Sequence, residues 1–165
     1  MEFIRIYCID TSALINMKVL YPQDIFPSLW RNLESLINQG RLISPQEVLE
    51  ELRKKDDELR KWGEAHKSMF KKLDANQLEK VRDILGRFPD LIDPQKTTPD
   101  ADPFIIALAM CEEQQRTLWE ERRIVVSEEK PATPGGRPKI PDVCTYYGIT
   151  HIPLTELFRK ENWKL

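Results

Sequence analysis

The sequence predicts an α/β layered domain built on a mostly parallel sheet, and three observations carry that expectation. Short runs of apolar, β-branched or aromatic residues, Phe3 to Ile9 and Ile124 to Val126, alternate with stretches of helical periodicity, the pattern of strand–helix–strand units. The first run, FIRIYCI, is nearly continuous with Arg5 as its sole charge, and reads as a central strand covered on both faces, as in parallel sheets. At 165 residues the chain has the size of one domain, taken as residues 1–165.

Asp10 ends the first run, and Asp10-Thr11-Ser12 is a good cap for a helix through Ala13 to Met17. Two prolines make 21–27 a loop. Ser28 to Gln39 then carries Leu29, Leu33, Leu36 and Ile37 at helical spacing, closed by Gly40. Arg41 to Ser44 is a short apolar connection, the end of a strand. Ser44-Pro45-Gln46-Glu47 spells an N-cap, a first-turn proline and a capping-box acid, so a new helix starts there. On it Val48, Leu49 and Leu52 define the apolar face, from which Glu51 lies about 105° away and Glu47 and Glu50 roughly 150° away. Glu51 therefore flanks the core while Glu50 points to water.

From Arg53 to Lys72 the chain is helical and highly charged, with eight Lys or Arg against four Asp or Glu. Asp74 to Gly86 reads as a further helix with Leu78, Val81 and Leu85 inward, and Phe88 to Thr98 as a proline-bearing loop. Asp100 and Asp102 stand immediately before Phe104 to Cys111, a run of eight residues without a polar side chain. Pro103 fits the first helical position and Asp102 the N-cap before it. Glu112 to Arg123 is polar, and the strand Ile124 to Val126 ends in Ser127-Glu128-Glu129. The next twelve residues, KPATPGGRPKIP, make a loop whose Lys130, Arg137 and Lys139 could meet phosphates. Pro141-Asp142 opens a short helix through Tyr147, Ile149 to Ile152 is a last strand, and Leu154 to Trp163 a terminal helix.

Composition narrows the function classes. Lys and Arg number 25 against 27 Asp and Glu, a net charge of -2, so any electrostatic signal for a partner is local. Cys8, Cys111 and Cys144 lie in apolar surroundings without a secretory leader, which points to a reducing, cytoplasmic setting. No apolar run approaches the roughly 18 residues of a membrane span. With only His66 and His151, zinc sites rich in histidine and most Ser-His or Cys-His triads lack their parts.

The acids remain. Asp10 and Glu128 end two strands, Asp102 caps a helix, and in open α/β sheets ligands gather at the carboxyl ends of strands. If those strands are neighbours, three carboxylates converge on one rim with Glu51 as a fourth wall. Like charges that close need neutralising, and without His or Cys the fitting counter-ion is a hard cation bound through oxygen, such as magnesium.

The order IYCIDTSALI, SPQEVLEEL, DADPFIIALA and IVVSEEK resembles the PIN domain: a strand ending in Asp-Thr-Ser, a helix with Glu-Leu, a helix opened by Asp before an Ala-rich apolar run, and a strand ending in an acid. The ending KIPDVCTYYGI is similar to one prokaryotic branch of that family, related to VapC-type toxins. The resemblance implies a three-layer α/β/α sandwich with a parallel sheet and a Mg²⁺- or Mn²⁺-dependent ribonuclease site. Carried across by motif, Asp10, Glu51, Asp102 and Glu128 form the acidic quartet. PIN domains commonly have Asp at the fourth place and often a second acid soon after, for which Asp142, delayed by the loop, is the candidate. Asp100 could substitute for Asp102, and Thr11 or Ser12 could orient a water. RNA is the implied partner, with an antitoxin protein and a second copy of the chain as further expectations. The alternative expectation is a PIN-like module with weak chemistry that binds RNA or a protein through the basic face at 53–72.

Overall fold

Alternate residues of the first strand face two separate cores. In β1 (Phe3–Ile9), Tyr7 and Ile9 enter one apolar cluster while Ile6 and Cys8 enter another. The computed structural model describes residues 3–93, 100–110 and 120–164. Four further strands, β2 (Leu42–Pro45), β3 (Phe70–Lys71), β4 (Glu120–Val126) and β5 (His151–Ile152), join β1 in one sheet of order β3-β2-β1-β4-β5. Every pairing is parallel.

The first cluster packs Tyr7, Ile9, Leu42, Ile124 and Val126 against α1 (Thr11–Leu20), α2 (Pro27–Asn38), α3 (Gln46–Lys55) and α4 (Asp57–Ala65). The second packs Ile6, Cys8, Ile43 and Val125 against α5 (Ala75–Arg87), α6 (Asp102–Met110) and α7 (Ile140–Tyr147). The terminal helix, α8 (Leu154–Lys160), returns to the first face through Leu154, Leu157 and Phe158. The result is a three-layer α/β/α sandwich with an all-parallel sheet. Cys8 and Cys144 are buried thiols, while Cys111 lies outside the described residues. Among the described residues no helix is long and apolar enough to cross a membrane.

Several element boundaries depart from expectation for identifiable reasons. β4 begins at Glu120, its first half lying against Phe3 to Ile6, where charged side chains are tolerated at the sheet's amino edge: Arg122 is exposed and Arg123 donates to the Leu108 carbonyl at 2.7 Å. The polar stretch read over 112–119, and the loop beyond residue 93, lie outside the described residues. β3 was not expected, because Phe70 and Lys71 carry no periodic pattern; they pair with Ser44 and Pro45 inside the charged stretch. Ser44 does not cap α3: β2 continues through Pro45, and the Ser44 hydroxyl donates to the Ile9 carbonyl at 2.8 Å. In α5 the inward residues are Gln77, Val81 and Ile84, so Leu78, one position round, is 44% exposed. The last helix ends at Lys160.

The ladder at the carboxyl edge positions the site. Cys8 stands opposite Val125 and Ile9 opposite Val126. One step on, the Asp10 amide donates to the Val126 carbonyl at 3.0 Å and the Ser127 amide to the Ile152 carbonyl at 3.1 Å. Asp10 and Ser127 thus leave the sheet side by side.

Candidate active site

Asp10 is both the last point of the sheet ladder and the cap of α1. Its Oδ1 accepts the Ala13 amide at 2.9 Å, its Oδ2 accepts the Ser127 hydroxyl at 2.7 Å, and the Ser12 hydroxyl lies 2.9 and 3.0 Å from the two oxygens. Only 4% of the residue is exposed. Burial pushes the carboxyl up to about 7, opposed by these hydrogen bonds and assisted by the charge of Glu129. Ser12 also accepts the Glu128 amide at 3.1 Å, tying the ends of β1 and β4 together. Thr11 Oγ1 is buried with no hydrogen-bond partner among the described residues.

Glu51 is buried, as its place beside the apolar face of α3 requires, while Glu50 is exposed. Its Oε1 accepts the Ala101 amide at 2.7 Å, and its Oε2 lies 3.7 Å from the Lys55 ammonium. The first bond fixes the start of α6 against α3, supplying a partner for an amide at a helix entrance.

Asp102 is the first residue of α6 and not its cap. The amides of Phe104 and Ile105 both reach the Ala101 carbonyl at 3.0 Å, which makes Ala101 the capping position, and Asp100 accepts the Asp102 amide at 3.2 Å. Capping therefore does not consume the Asp102 carboxylate. Burial, followed by the charges of Glu129, Asp100, Asp10 and Glu51, pushes it up to about 9. Four acids from four parts of the chain act on this one carboxyl.

Of the two acids that follow β4, Glu129 is the one whose charge acts on Asp102. Strand alternation continues past Val126: Glu128 shares its side with Val126, facing the layer that holds α8, and Glu129 shares its side with Val125, facing the layer that holds α6. Accordingly Glu128 Oε1 accepts the Leu154 amide at 3.1 Å, at the start of α8, while Glu129 Oε2 accepts the Ile140 amide at 3.0 Å. The signal was legible as a two-residue period carried beyond the apolar run. Asp142 is also engaged elsewhere, since its Oδ2 accepts the amides of Ala132 and Lys139 at 2.9 and 2.8 Å. It closes the loop that precedes α7.

Asp100, Asp102 and Glu129 line a cavity of about 250 Å³ together with Asp90, Arg137 and Lys139. The donor set is all carboxylate oxygen, which suits a hard dication such as Mg²⁺ or Mn²⁺. Burial and the neighbouring acids favour the neutral form of the Asp102 carboxyl. Among the described residues no three of these acids already form a ready-made metal cage. A comparison with curated proteins finds no match. The family model described as a domain of unknown function (DUF4411) spans residues 7–165, and the chain belongs to that family.

Proposed function

We propose that this protein is a metal-dependent endoribonuclease whose site is Asp10, Glu51, Asp102 and Glu129, with Asp100 as an accessory acid. The observation that carries the reading is geometric: Asp100, Asp102 and Glu129 line one cavity, and the charges of Asp10 and Glu51 also act on Asp102, whose carboxyl burial raises. Among the described residues no arginine or lysine is hydrogen-bonded to Asp10 or Asp102, and buried acids so placed make little sense as a structural device. They suit a cation site, and the order of motifs resembling PIN domains points to RNA as the substrate.

The chain's own residues divide the work. Asp10, clamped by the Ala13 amide and two serine hydroxyls, presents a carboxylate of fixed orientation at the sheet edge. Glu51 anchors α6 through Ala101 and so sets where Asp102 stands. Asp102 and Glu129 close the side facing the cavity. A dication held by these acids supplies neutralisation of the phosphodiester's charge and acidification of water. No serine, cysteine or histidine nucleophile is required.

The test uses the purified full-length chain and 5′-labelled RNAs with Mg²⁺ or Mn²⁺. Wild type is expected to cleave, and Asp10→Asn to lose cleavage with its circular dichroism unchanged. Equal cleavage by the two proteins, or none with either ion across several RNAs, ends the reading. The role of toxin in a toxin–antitoxin pair, the partner antitoxin and the homodimer rest on the resemblance alone; growth arrest on expression, relieved by a neighbouring small gene, is the separate test. The binding-module alternative is weakened by the fate of its basic face. Arg53 meets Glu64 at 3.4 Å, Arg60 meets Asp57 at 2.5 Å, Lys61 meets Asp57 at 3.5 Å and Lys55 meets Glu51 at 3.7 Å, so much of the local charge is neutralised within the same two helices.

A further inference from the structure

A second cavity adjoins the acidic one and holds more cations than acids. Of about 290 Å³, it is lined by Lys130, Arg137 and Lys139 with Glu129 as its single acid. Glu129, Arg137 and Lys139 line both cavities, so the two share a wall. All three cationic side chains come from the Pro/Gly-rich loop between β4 and α7, and all three residues are exposed.

That loop is held at several points. Asp142 Oδ2 accepts the amide of Ala132 near one end and of Lys139 at the other, drawing the two together. At the tip Gly135 adopts φ +78, which suits glycine, and the Gly136 amide donates to the Thr133 carbonyl at 2.8 Å. Arg137 Nε donates to the Asp90 carbonyl at 3.1 Å, and its Nη1 lies 3.8 Å from Asp93. Glu129 accepts the Ile140 amide, fixing the loop's exit to the acid cluster. The loop backbone and Arg137 are therefore pinned, so that the ordering left for a ligand to impose falls on the Lys130 and Lys139 side chains.

We infer that this loop is the phosphate-binding wall of the site, taking the backbone phosphate next to the one at the acids. The inference rests on the endoribonuclease reading. An acid-rich cavity and a cation-rich cavity that share Glu129, Arg137 and Lys139 fit a chain whose neighbouring phosphates meet different surroundings: one at carboxylates that would hold a cation, the next on Lys130 and the two shared cations. A mononucleotide would fill one cavity and leave the other unused.

The experiment measures binding of a fluorescent single-stranded RNA oligonucleotide by anisotropy in EDTA, from low to moderate salt, so that turnover plays no part. Each phosphate contact to a single strand adds about 0.7 to the slope of log affinity against log salt. Lys130→Gln/Arg137→Gln/Lys139→Gln is expected to lower that slope by about 2 and to weaken binding about tenfold or more at low salt. Because Arg137 also holds the loop to Asp90, Lys139→Gln alone provides an independent reading, with an expected loss of about 0.7. A mononucleotide should compete far more weakly than the oligonucleotide. A wild-type slope in both variants, equal competition by the mononucleotide, or no RNA binding by wild type would overturn the inference. Cleavage by wild type with unchanged slopes in the variants would remove the wall and keep the nuclease. Slopes that fall as expected in a protein that cleaves nothing would keep the wall and remove the nuclease.

Discussion

Carboxylates lie buried or half-buried toward both edges of the sheet, and the two groups are handled in opposite ways. Toward the amino edge, Glu161 accepts the Arg41 guanidinium at 2.7 Å and the Tyr7 hydroxyl at 2.6 Å, while Arg41 also donates to the Arg5 carbonyl at 3.0 Å. Burial alone would raise Glu161, but the hydrogen bonds from Arg41 and Tyr7 and the charges of Arg41 and Arg5 outweigh it and hold the carboxyl below its ordinary value. At the carboxyl edge, Asp10 and Asp102 have hydroxyls, amides and other carboxylates for neighbours, and burial drives both upward. The first arrangement is complete as it stands. The second favours protonated carboxyls, and on the proposed reading a bound cation would take the place of those protons.

That contrast can be broken first at Glu129. If it belongs to the incomplete group, Glu129→Gln should reduce RNA cleavage by on the order of a hundredfold, the scale seen when a charge-stabilising contact is removed from a transition state, with no loss of thermal stability in EDTA. Normal turnover in this variant would take β4 out of the site. At the amino edge the expectation inverts. Glu161→Ala leaves a partly buried guanidinium and a buried phenol without their acceptor, and should cost about 1–3 kcal/mol by denaturant titration. Cleavage measured well below the melting temperature should be retained. Asp102→Asn in metal-free buffer should show no comparable loss, because it replaces a carboxyl already driven to its neutral form.

The next effect is a pH dependence. Asp10 and Asp102 rise from 3.8 in the ordinary state to about 7 and about 9 in the folded chain. The folded protein therefore holds more protons than the unfolded chain between pH 4 and pH 9, and stability falls as pH rises through that window. In EDTA the melting temperature should decline from pH 5 to pH 9. Adding Mg²⁺ or Mn²⁺ at pH 8 should recover part of the decline by binding the folded state alone, and Asp102→Asn should blunt the recovery. A melting temperature that climbs over this range, or one indifferent to both ions, contradicts the electrostatic picture.

Much of this architecture is legible in the sequence, and the features that are not share a cause. The continuous apolar run of β1 announced a strand covered on both faces, and helix angles separated buried Glu51 from exposed Glu50. Readings that stop at the nearest suitable residue miss what the elements do next. Glu128 is the first acid after Val126, but the alternation of the strand, followed further, puts Glu129 on the side of Asp102. Ser44 read as a cap because Ser-Pro-Gln-Glu fits that pattern locally, yet the ladder of β2 continued and the hydroxyl found Ile9. Asp142 read as a distant fourth ligand, but the amides it accepts are brought together only by the turn of the Pro/Gly loop, which no periodicity encodes. β3 and the charged half of β4 were invisible because strands near an edge can be short or polar.

Glu128 supplies the smallest effect and the sharpest check on the alternation argument. Its carboxylate serves one amide at the start of α8, a role like that of a helix-capping acceptor, whose loss costs about 1 kcal/mol. For a chain of this length Glu128→Ala should lower the melting temperature by about 2–4 °C. Glu128→Gln, which keeps an acceptor oxygen, should lower it less, and neither should change the rate of RNA cleavage beyond about twofold when both proteins are folded. The opposite pattern, unaltered melting with cleavage abolished, would return the fourth corner to Glu128. It would also mean that the side chains beyond Val126 do not keep the parity of the strand, leaving Asp102 without the neighbour whose charge contributes most to raising it.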